Sequence, residues 1–73
     1  MQDETKRIAD KVRGAAAEKR ASQDAIAKEL KRSRQAVNAR MTGKVPFSAT
    51  EVLTIARYLD VPVSRLFPEE VAA

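Results

Sequence analysis

Ser22-Gln23-Asp24-Ala25-Ile26-Ala27-Lys28-Glu29-Leu30-Lys31-Arg32-Ser33-Arg34-Gln35-Ala36-Val37-Asn38-Ala39-Arg40-Met41-Thr42-Gly43 is the stretch that decides the fold. Ser22 and Ser33 are each placed to accept hydrogen bonds from the free N–H groups of a helix that starts just after them. Ile26, Ala27 and Leu30 recur at helical spacing behind the first serine, and Val37 and Met41 behind the second. Gly43 falls where a left-handed residue ends the second helix. Two short capped helices joined by a turn of about three residues are a helix-turn-helix, at about 23–41. Ala27 sits where the two helices approach closely, and Val37 fills the angle between them.

Outward from this unit the chain stays helical. Ile8, Val12 and Ala15-Ala16 mark a helix over about 4–20, with Gly14 inside it at a cost of about 1 kcal/mol relative to alanine. Ser48 and Glu51 form a capping box, and Phe47 with Val52 a hydrophobic staple. Val52, Ile55, Ala56 and Leu59 continue that helix over about 49–59, and Asp60-Val61-Pro62 stops it. A last helix spans about 63–67 and halts at Pro68, followed by a frayed acidic tail, Glu69-Glu70. The expectation is an all-α, compact five-helix domain spanning 1–73, ordered over about 4–68.

Composition agrees and excludes other classes. Alanine contributes 13 of 73 residues, glycine 2 and proline 3, which favours helix over sheet. Without cysteine or histidine there is no disulfide framework, no cysteine nucleophile and no usual zinc set. No glycine loop cradles a phosphate, and five short helices offer no catalytic cleft. The expectation is therefore no enzyme, no metal, no cofactor and no small-molecule substrate. No apolar run approaches the ~18 residues of a membrane span, and no secretion signal opens the chain. The first helix is basic and amphipathic, but its apolar face is mostly alanine, so it is not expected to lie on a membrane. The cytoplasm is the expected location.

Charge is uneven. Residues 1–44 carry 12 basic and 6 acidic side chains, and residues 45–73 carry 2 basic and 4 acidic. Lys31, Arg32, Arg34, Arg40 and Lys44 occur with no acid among them. Such a local excess needs a polyanionic partner or open solvent.

Residues 22–30 resemble the second helix of the phage lambda-repressor/Cro-like (XRE) helix-turn-helix family. Residues 33–43 resemble its recognition helix and exit, and Phe47 through Phe67 its fourth and fifth helices. The ordered combination of Gln23, Ala27, Val37, Gly43 and the Leu59–Phe67 ending carries the resemblance, which covers about residues 5–68. It implies sequence-specific binding of double-stranded DNA and transcriptional regulation, as by a phage or bacterial repressor in the bacterial or infected host cell. Arg34, Gln35 and Asn38 then reach base edges in the major groove, and Ala39 a thymine methyl. Gln23 and Ser22 hold a backbone phosphate at a helix N-terminus. Arg32, Ser33, Thr42 and Lys44 flank the reading helix as further phosphate contacts. Arg40 is open between a phosphate contact, a salt bridge to a nearby acid and a side chain snorkelling over the core.

Three positions depart from the family pattern: Lys31 replaces the common turn glycine, Arg32 a following apolar residue, and Arg40 a third apolar position. Lys6, Arg7, Lys11 and Arg13 read as solvated surface, and Met41, Leu53, Tyr58 and Phe67 as core or interface. A domain this small reads few base pairs, so the expected partner is an inverted-repeat operator on which a monomer or weak dimer pairs as a homodimer, with Val63, Arg65, Leu66 and Phe67 as candidate contacts. The alternative for Leu66 and Phe67 is that they close the core of a monomer. The alternatives are an antitoxin-like or other protein-interaction module of the same fold, or the DNA-binding half of a longer regulator.

Overall fold

Three serines start three of the helices. Ser22, Ser33 and Ser48 hold extended backbone, and their Oγ atoms accept from Ala25 N at 3.0 Å, Ala36 N at 3.1 Å and Glu51 N at 3.1 Å. The computed structural model describes residues 3–67, so Pro68, Glu69 and Glu70 lie outside the described residues. Among those described, the elements are α1 (Asp3–Glu18), α2 (Gln23–Leu30), α3 (Arg34–Met41), α4 (Ala49–Leu59) and a single 3-10 turn, Val63–Arg65. The protein is all-helical there, with no strand. No helix among these residues is long and apolar enough to cross a membrane.

All four helices stop by one device. At the ends of α1 to α4, Arg20 (φ 59), Lys31 (φ 56), Gly43 (φ 83) and Asp60 (φ 59) take the left-handed conformation. The following N–H then reaches back five residues: Ala21 to Ala16 O at 2.8 Å, Arg32 to Ala27 O at 3.0 Å, Lys44 to Ala39 O at 2.9 Å, and Val61 to Ala56 O at 3.0 Å. These bonds satisfy carbonyls that the helix ends would leave bare. Only the third stop uses glycine; the fourth is signalled by the proline that follows it, Pro62. Lys31 shows the positive φ that its place in the turn implies. Replacing Arg20 or Lys31 by glycine should raise stability by about 0.5–1 kcal/mol each, because a Cβ is penalised in this conformation. Thermal melts of the two variants check this, and an unchanged or lower Tm would contradict it.

The core joins all the elements. Val12, Ile26, Val37, Val52, Ile55 and Leu66 are its largest fully buried side chains. Ala27 is buried in the core, and α2 packs on both α3 and α4. The radius of gyration is 11.0 Å, about the value expected for one packed body of 73 residues.

Two expected elements differ in detail. The first helix ends at Glu18 because Arg20 turns left-handed. The fifth element is a three-residue 3-10 turn, closed by Arg65 N to Pro62 O at 2.9 Å and Leu66 N to Val63 O at 3.0 Å. Pro62 fixes its start, and Leu66 is drawn into the core directly after it, so no further helical turn forms.

Candidate nucleic-acid interface

The N-terminal ends of α2 and α3 and the exit of α3 converge on one open concavity of about 550 Å³. Its lining is Gln23, Arg34, Gln35, Asn38, Ala39 and Lys44. All four positions expected to face bases are here, together with two of those expected at phosphates. Arg34, Gln35, Asn38 and Lys44 are exposed, while Gln23 and Ala39 are half-buried. Arg34 Nε lies 3.5 Å from Asp24 Oδ1, and both side chains are about 70% exposed, so water and salt weaken this pair.

Ser22 and Ser33 are exposed at the two helix starts. Each hydroxyl oxygen is used as a cap, which leaves the hydroxyl hydrogen for an outside acceptor. Thr42 donates its own hydroxyl back to Asn38 O at 3.0 Å and Ala39 O at 3.2 Å, within the last turn of α3.

Arg40 does not join the concavity. Its side chain is only 13% exposed. Nε donates to Glu51 Oε1 at 3.1 Å, and Nη1 to Ala36 O at 2.9 Å. Of the three roles open to Arg40, the geometry selects the salt bridge. This corrects its expected place at a phosphate: an apolar position refilled by arginine keeps the side chain inside and needs an acid there. Arg32 donates its Nε to the other oxygen of the same carboxylate.

Glu51 is thus the hub that sequence reading missed. It is buried, at 7% exposure. Beyond the two arginines it accepts from its own N-cap, Ser48 N to Oε1 at 2.9 Å. Burial pushes its carboxyl up, but the hydrogen bonds from Ser48 N–H, Arg32 and Arg40 outweigh this and hold it below its ordinary value. The capping box was legible. The signal for the hub was the pair of arginines standing where the resemblance puts apolar residues.

The exit of α3 is buttressed by α1. Arg13, expected as solvated surface, donates Nη1 to Met41 O at 2.5 Å and pairs with Asp10. A cation there satisfies the end carbonyl and suits the helix dipole. Gly43 is favoured by its positive φ, and a Cβ built there would lie 3.0 Å from Lys6 Cγ, so the Lys6 side chain would have to shift by a few tenths of an ångström.

The expected dimer residues lie elsewhere. Leu66 is fully buried in the core, so of its two expected places the structure gives it the core and not the contact. Val63 and Phe67 pack half-buried against that core, and Arg65 donates to Glu18 Oε1 at 2.6 Å. That bond and the Arg65 charge hold the Glu18 carboxyl below its usual value.

No known protein family, no curated protein and no solved structure significantly matches this chain.

Proposed function

We propose that this chain is a lambda-repressor-like helix-turn-helix protein that binds double-stranded DNA, with α3 reading the major groove. The observation that carries the reading is the concavity whose lining combines Arg34, Gln35 and Asn38 with Gln23 and Lys44. Arginine matches guanine O6/N7, and glutamine or asparagine matches adenine N6/N7. Lys44, Ser22, Gln23 and Ser33 act on phosphates at the edges and set the register. An excess of cations over residues 31–44 suits a polyanion. The biological effect proposed is repression of transcription by occupying an operator, bound by two copies on an inverted repeat whose half-sites lie about 34 Å apart or a multiple of that.

In vitro selection from a random duplex pool tests this directly, since it returns the motif and its symmetry. On the selected site, Gln35→Ala should lose about 1–3 kcal/mol and relax preference at particular base pairs. Lys44→Ala should weaken all sequences alike and lower the salt slope by about one unit. A Gln35→Ala protein with wild-type affinity and an unchanged motif would remove it as a base reader.

A protein-interaction module of the same fold is the second reading. It draws on Leu53 and Tyr58, which are 46% and 41% exposed on α4. Failure to bind random DNA even at low salt would favour it.

A further inference from the structure

We propose that Glu51 orients Arg32 as a preset fork for a nucleic-acid phosphate, and so divides two arginines between one structural and one binding role. The proposal rests on the DNA reading above and deepens it.

The geometry separates the two arginines. Both reach Glu51 through Nε, one to each carboxylate oxygen. Arg40 then spends Nη1 on Ala36 O and is enclosed. Arg32 does not: its side chain is 46% exposed, and neither terminal nitrogen hydrogen-bonds another described residue. A guanidinium is planar with fixed donor directions, so fixing Nε also fixes where the two outer nitrogens point. Those two nitrogens are the edge that grips a phosphate bidentately.

Glu51 is suited to hold that edge still. It lies in the first turn of α4, is buried, and is itself pinned by Ser48 N–H. Arg32 directly precedes Ser33, the N-cap of α3, so its backbone stands at the start of that helix, while its side chain runs to Glu51 and does not line the concavity. An exposed ion pair adds little to stability by itself. Its effect here is to remove rotamer freedom from Arg32 before any ligand arrives, which lowers the entropic cost of binding. The carboxylate does not cancel the attraction, because two arginines and one glutamate leave one net positive charge.

The experiment measures affinity for the selected duplex, and for a random duplex of equal length, across wild type, Arg32→Ala, Arg32→Lys, Glu51→Gln and the Glu51→Gln/Arg32→Ala double variant. Arg32→Ala should lose about tenfold in the wild-type background, the scale of one charge-assisted contact. In the Glu51→Gln background the same change should lose less than about threefold. Arg32→Lys should keep the wild-type salt slope and still lose most of that affinity, since lysine is a point charge without a fork. A merely structural pair would instead leave the binding losses of the two single variants additive.

Equal losses from Arg32→Ala in both backgrounds overturn the proposal, as does an Arg32→Lys protein that binds like wild type. The lysine comparison leaves Glu51 in place, so it decides the matter even if Glu51→Gln is unfolded. If wild type itself shows no salt-dependent DNA binding, the DNA reading fails and this inference falls with it. A wild type that binds, with additive losses, overturns this inference alone.

Discussion

Glu51→Ala is expected to lose about 3–5 kcal/mol of stability, the scale of breaking one side of a buried ion pair. A domain of this length has roughly 4–11 kcal/mol in total, so the variant should be largely unfolded near physiological temperature. The large effect has two sources. Arg40, only 13% exposed, is left without its counter-ion, and the reciprocal cap on Ser48 is lost. Chemical denaturation followed by circular dichroism measures the loss. A variant within 1 kcal/mol of wild type would show that the hub is energetically idle. The same carboxyl sets an acid limit. Its folded pKa is depressed, so its contribution is present above the ordinary value of 4.5 and is lost as pH falls through the lower folded value. Wild type should therefore weaken below about pH 4.5, and Glu51→Gln should show a flatter acid limb.

Leu66→Ala should lose about 2–5 kcal/mol, as for other buried leucines. Leu66 is completely buried and follows a 3-10 turn that holds itself with only two backbone bonds. For a domain of this size the Tm should drop by at least about 10 °C. A subunit contact at Leu66 would behave differently, changing sedimentation and leaving the Tm of the monomer alone. Thermal melts at two protein concentrations separate these outcomes.

The helix starts were legible in the sequence because a serine cap is a local device, decided within four residues. The apolar periodicity of Val52, Ile55, Ala56 and Leu59 is equally local. Helix stops were legible at Gly43 and at Asp60-Val61-Pro62, where glycine and proline advertise them, and not at Glu18, because Arg20 adopts left-handed backbone without such a residue. In the candidate site, Arg34, Gln35, Asn38 and Ala39 share one concavity because they project from adjacent turns of one short helix, which spacing alone specifies. Arg40 lies on that same helix, yet its fate is set by an acid 11 residues away, and that of Arg32 by the same acid 19 residues away. No periodicity encodes such a meeting. The same holds for Arg13 reaching Met41 and Arg65 reaching Glu18.

The four left-handed stops have a kinetic consequence. Each helix end is set by backbone bonds within its own segment, so helix length is specified locally and not by the neighbour it packs on. The search that remains is the docking of segments of preset length across short connections. Chains rich in such local contacts fold in microseconds to milliseconds. α2, the turn and α3 form the most local unit, and the segment carrying Leu66 packs on α4 and reaches α1 through Arg65 and Glu18. Loosening that last segment should speed unfolding and leave the folding rate nearly unchanged. The lifetime of the folded state is then governed by the segment after α4, and the candidate site is built by α2 and α3 in the middle of the chain.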